Sequence, residues 1–93
     1  MKFIWDETKE LANIKKHKVS FVQAVHTFYD PSRKEYYDSR HSSLEEDRSI
    51  VVGLALNVVL IVSFTEPNTE TIRIISARKA KKHELEALYY GNS

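Results

Sequence analysis

The 93-residue chain has no cysteine. This excludes disulfide staples, thiolate nucleophiles and every cysteine-based zinc site, and it suits a reducing cytoplasm. Glycine and proline number only two each, too few for the glycine-rich phosphate loops of Walker or dinucleotide-binding type. Long apolar runs are also missing. The longest, around Val58 to Val62, falls far short of the ~20 residues a membrane-spanning helix needs, and the opening Met1-Lys2-Phe3-Ile4-Trp5-Asp6 lacks the apolar core of a signal peptide. Neither a membrane partner nor export is expected. The histidines at 17, 26, 41 and 83 show no H-x-H or H-E-x-x-H spacing, and no G-x-S-x-G elbow occurs. No preformed metal site and no cofactor are therefore expected.

The residues present are those of a packed globule, 42% hydrophobic and 11% aromatic. The length fits one domain over 1–93 with a modest core. The formal charge of +1 is a sum that hides structure: residues 1–47 carry eight Lys/Arg against nine Asp/Glu, and residues 48–93 six against four. Four of those last six bases fall between Arg78 and Lys82.

Patterning predicts an α+β domain with two N-terminal helices, an antiparallel sheet of four to five strands and a C-terminal helix. Lys2 to Trp5 reads as a short strand, and Asp6 caps a helix to about Lys16. Ser20 with Gln23 forms a capping box for a second helix, stopped by Asp30-Pro31. Lys34 to Tyr37 is a charged edge strand, His41 to Asp47 a polar loop, and Arg48 to Leu56 a strand that turns at Asn57. Val58 to Phe64 is apolar on both faces and central. Glu66-Pro67-Asn68-Thr69 reads as a turn, Thr71 to Ala77 as the last strand, and Arg78 to Tyr90 as a helix closed by Gly91. The connections are short, so the strands should form a meander.

Read this way, Arg78, Lys79, Lys81 and Lys82 open a helix at the end where the dipole disfavours cations. Arg78 and Lys82, four apart, repel one another. Bases grouped with unpaired helix N–H groups would hold a phosphate. Arg73, placed on one strand face with Ile75 and Ala77, would reach the same spot. Composition alone favours a solvated lysine-rich helix, partly balanced by Lys81–Glu84 and Lys82–Glu86. Lys15-Lys16-His17-Lys18 forms a second basic patch at a helix end, where cations are welcome and a histidine near neutrality can move protons. The stretch from His41 to Arg48 mixes a histidine, carboxylates and an arginine, and reads foremost as a polar loop.

Several strings together resemble the BrnT family, toxins of bacterial type II toxin–antitoxin systems with a RelE-like fold. They are Phe3-Ile4-Trp5-Asp6 with Lys9 and Asn13, and Lys16-His17 followed by Val19-Ser20-Phe21, Ala24, Phe28 and Asp30-Pro31. His41-Ser42, Glu45 or Glu46, Arg48 and Gly53 follow, then the most specific run, Ile72 to Ala80 with Lys82-His83-Glu84 and Tyr89 or Tyr90. The resemblance implies a cytoplasmic, metal-independent ribonuclease that inhibits translation. Its implied partners are RNA and a cognate BrnA-like antitoxin, a ribbon-helix-helix DNA-binding protein, in a hetero-oligomer. It implies catalytic roles for Arg73, Arg78, Lys79, His17 and Glu84, with the arginines on phosphate and the others on proton transfer. RNA contacts are expected from Lys16, Arg48, Lys81, Lys82, His83 and Tyr89. Two departures stand out. Lys18 occupies a left-handed cap position where many members have glycine, and Glu66-Pro67 stands roughly where many carry an arginine. The second departure keeps an alternative open, a weak or inactive protein that binds RNA or a partner through the same surface.

Overall fold

The structure is a computed structural model describing residues 1–44 and 46–91. Glu45 lies outside the described residues. Strand β1 (Lys2–Ile4) leads into helix α1 (Glu7–His17), helix α2 (Phe21–Val25) and a 3-10 turn (His26–Tyr29). Strands β2 (Lys34–Tyr37), β3 (Arg48–Ala55), β4 (Val58–Asn68) and β5 (Thr71–Lys79) follow, then a single helical turn α3 (Lys82–Glu84) that widens into a π-type segment, Leu85–Tyr90. The sheet order is β1-β5-β4-β3-β2. The meander β2 to β5 is antiparallel as expected, while β1 joins β5 in parallel, so the sheet is mixed.

Local chemistry accounts for the first helices. Asp6 accepts the Lys9 N–H at 3.0 Å and Ser20 accepts that of Gln23 at 3.0 Å, satisfying donors a helix start leaves unpaired. Helix α1 ends because Lys18 turns left-handed (φ 62°) and returns its N–H to Ile14. One sheet face packs on the helices around Val19, Phe21, Val51, Leu60, Val62, Phe64 and Ile74. Gly53 lets the 3-10 turn approach, since a Cβ there would stand 2.9 Å from the Thr27 carbonyl oxygen.

Four expectations need correction. Strand β5 runs on to Lys79, so Arg78 and Lys79 belong to a strand and not to a helix start, and the supposed Arg78–Lys82 repulsion across one helical turn does not arise. The strand continues because Ala80 still donates its N–H to Val59, which keeps this end in the ladder. Second, Arg73 does not share a face with Ala77. Ser63 pairs Ser76 but Phe64 pairs Ile74, leaving Ile75 as an extra residue that reverses the alternation. Third, Glu66 and Pro67 belong to β4 rather than to a turn. They occupy an irregular stretch of pairing between Thr65 and Asn68, where proline's missing N–H leaves no ladder bond broken. Last, Gly91 closes the C-terminal segment at φ −79°, so it is not a left-handed cap.

Candidate active site

The second face of the sheet carries Arg48 and Ile50 from β3, Ile61 and Ser63 from β4, and Ser76 and Arg78 from β5, in matched register. The end of α1, the loop after β2 and the C-terminal helical segment rise around them. Together they enclose a cleft of about 450 Å³. Into it come Lys16 and His17 from α1, Asp38 and His41 from the loop, and Glu84 and Leu88 from the C-terminal segment. Its permanent cations are Lys16, Arg48 and Arg78, against the carboxylates of Asp38 and Glu84.

Asn13 sets the position of the α1 side. It is buried, its amide donates to the carbonyls of Val19 and Ala77 at 2.8 Å each, and its oxygen accepts the Ala77 N–H at 3.1 Å. A helix side chain is thus fastened to the backbone beside Arg78. Lys16 and His17, three and four residues on, fall on the same side of the helix.

Arg78 is held from the other side. Its two terminal nitrogens donate to the two Glu84 carboxylate oxygens, both at 2.8 Å. The same carboxylate accepts the Lys81 N–H at 2.8 Å and so caps α3. The Arg78 hydrogen bonds, outweighing burial and helped by the Lys81 N–H, hold the Glu84 carboxyl down at about 2. The bond to Glu84 likewise raises Arg78 further above its ordinary value. A carboxylate this acidic stays ionised at neutral pH, so Glu84 orients Arg78 and is unsuited to proton transfer. Arg48 is less engaged, with one nitrogen 3.9 Å from Glu46 and a buried Nε that has no hydrogen-bond partner.

The loop between β2 and β3 is closed at its neck. Asp38 donates its N–H to the Arg48 carbonyl at 2.8 Å. The Ser42 hydroxyl accepts the Arg48 N–H at 2.8 Å and donates to the Asp38 carbonyl at 2.7 Å. His41, just before this staple, bonds through Nδ1 to the Asp38 carboxylate at 2.8 Å. Burial pushes the Asp38 carboxyl up, but the bonds and charge of His41 prevail and hold it below its ordinary value. Asp38 carries no signal in composition or motif. The clue available was a carboxylate three residues before a histidine in a turn-rich stretch.

The structure therefore gathers Lys16, His17, Arg48, Arg78 and Glu84 of the expected residues. It does not gather the rest. Arg73 sits in an adjoining hollow of about 610 Å³ with Tyr37, Thr65 and Glu66, and Glu46 links the hollows, 3.6 Å from Arg73 and 3.9 Å from Arg48. Lys79, Lys81, Lys82 and His83 are exposed and do not line the cleft. Tyr89 also lies outside it; its hydroxyl donates to Asp30 at 2.5 Å. Burial, that bond and the Asp30 charge push Tyr89 up to about 12.

Residues 5–84 match the protein family described as "Ribonuclease toxin, BrnT, of type II toxin-antitoxin system". The crystal structure of the Brucella abortus ribonuclease toxin, BrnT, is similar to the chain at 27% identity and a TM-score of 0.67, over 88% of this chain and 99% of the other. A comparison with curated proteins finds no match.

Proposed function

The chain belongs to the BrnT family of ribonuclease toxins of type II toxin–antitoxin systems, and from that premise we propose that it cleaves RNA without a metal ion and so halts translation. The observation that carries this reading is the convergence of Lys16, His17, Arg48 and Arg78 on one cleft. In-line attack by a ribose 2′-OH needs proton transfer at two oxygens and positive charge around the phosphorus. Arg78, aimed by Glu84, and Arg48, with an uncommitted Nε, supply the charge. His17 supplies proton transfer from the end of α1, and Lys16 binds the chain at the rim. Arg73 takes a neighbouring phosphate in the adjoining hollow, and the exposed Lys79, Lys81, Lys82 and His83 attract the polyanion.

Membership of such a family implies an antitoxin partner. We propose that this partner is a BrnA-type ribbon-helix-helix protein that forms a hetero-oligomer with the chain in the cytoplasm. Among the described residues no helix is long and apolar enough to cross a membrane. The test is induced expression, which should arrest growth and be relieved by co-expressing the neighbouring antitoxin gene. The purified protein should cleave RNA in EDTA, and Arg78→Ala should abolish cleavage while staying folded. Unchanged growth with soluble protein refutes the active-toxin reading. One observation favours the alternative, a weak or inactive protein that binds RNA or a partner through the same surface. Glu46, Asp47 and Glu66 crowd the hollow around Arg73, and a binder of this kind would show salt-dependent affinity with no cleaved product.

A further inference from the structure

We propose that His41, oriented by Asp38, is the general base that deprotonates the attacking 2′-OH, with His17 as the acid at the leaving oxygen. The proposal rests on the ribonuclease reading above and deepens it. A carboxylate can only accept a hydrogen bond, so the 2.8 Å contact from Asp38 places a hydrogen on His41 Nδ1. That leaves Nε2 of the neutral ring as a lone pair able to take a proton. The ring is not packed away: its side chain is 63% exposed, while the Asp38 side chain is 18% exposed. A sheltered carboxylate behind an accessible imidazole is the arrangement that orients a histidine base and stabilises its protonated form.

The surroundings fit the role. Asp38 and His41 line the same cleft as Arg48, Arg78 and His17. The Ser42 hydroxyl and the Asp38–Arg48 backbone bond close the neck of the β2–β3 loop, so the pair sits on a stapled turn and not on a free arm. Of the four histidines, only His17 and His41 line this cleft. In the step, the O2′–P bond forms and the P–O5′ bond breaks. The 2′-OH proton goes to His41 Nε2, and a proton from protonated His17 goes to O5′. The products are a 2′,3′-cyclic phosphate and a free 5′-OH, with the proton balance closed and no co-reactant required.

The experiment uses the full chain and an oligoribonucleotide that the wild type cleaves. His41→Ala should lower kcat by about 10²–10⁴-fold, the usual contribution of a general base. Added imidazole should restore it in a saturable way, which a merely structural histidine would not allow. Asp38→Asn should lower kcat with KM nearly unchanged, and imidazole should not restore it, since the ring is still present. With a p-nitrophenyl phosphodiester of uridine, whose leaving group needs no proton, His17→Ala should recover most of its rate and His41→Ala should not. A folded His41→Ala or His41→Gln variant within about twofold of wild type overturns the proposal while leaving the ribonuclease reading intact. Recovery of His41→Ala on the activated substrate, with His17→Ala still slow, overturns the assignment of base and acid. A wild type that cleaves no RNA refutes the ribonuclease reading itself and the proposal with it.

Discussion

Arg78 and Glu84 meet through two parallel hydrogen bonds of 2.8 Å, one to each carboxylate oxygen. The guanidinium projects from the last residues of β5 and the carboxylate from the first turn of α3. The pair therefore spans the corner where strand becomes helix. It makes an acid part of what looks in composition like a purely basic cluster.

That pair predicts a pH dependence of stability. Glu84 is depressed to about 2 from an ordinary 4.5, so its contribution is fully present above about pH 4.5 and is lost as pH falls through about 2. Glu84→Gln should be less stable than wild type at pH 7, by on the order of 1 kcal/mol because Arg78 is partly exposed. Urea midpoints of the two proteins should converge on acidification to pH about 2. A gap that stays constant from neutral to strongly acidic pH contradicts the assignment.

Asn13 fastens α1 to β5 through two hydrogen bonds to the Ala77 backbone. Asn13→Ala strands the Ala77 N–H and two carbonyls in a buried place. A loss of about 2–4 kcal/mol is expected from unsatisfied buried groups. Denaturant titration measures it, and a loss below about 0.5 kcal/mol, typical of plain surface sites, contradicts the clamp.

Lys18 and Leu56 both sit at φ 62°, a region that L-residues enter at a cost and glycine enters freely. Lys18→Gly and Leu56→Gly should each raise stability by about 1 kcal/mol. Thermal melts of the two variants and of the double variant test this, with near-additive gains expected for separate sites.

Tyr89 is turned away from the cleft, and its bonding predicts a packing role. Its hydroxyl meets Asp30, whose other partners are the backbone N–H groups of Leu54 and Ser32. Absorbance titration should show one tyrosine ionising near pH about 12, and that step should vanish in Tyr89→Phe. The variant should lose about 1 kcal/mol of stability through its missing hydrogen bond. Its RNA affinity should equal the wild type's, and a clear loss of affinity returns Tyr89 to the binding surface.

What could be read along the chain was whatever depends on neighbours within a few residues. Asp6 and Ser20 cap their helices as their spacing indicates, and the meander follows from short connections. The left-handed Lys18 was foreseen where glycine is usual. The strings around Lys16-His17 and Ile72 to Ala80 pointed to the family. The failures came where distant groups decide. Nothing local announces that Val59 will keep Ala80 in the ladder or that one extra residue at Ile75 will turn Arg73 from Ala77.

The sequence alone, free of cysteine and poor in glycine, excluded thiol chemistry and glycine-rich phosphate loops, and pointed to Arg, Lys, His, Glu and Tyr as the groups for acid–base and electrostatic work. Residue type carries that information without any fold. Which of those groups lie together was decided by the tertiary structure. Register on the second face of the sheet joins Arg48 to Arg78, Asn13 brings His17 beside them, and the stapled loop adds His41 with Asp38. Such contacts depend on strand pairing and burial across up to 64 residues of chain. No local pattern encodes them, because each is stable only once the rest of the core has formed.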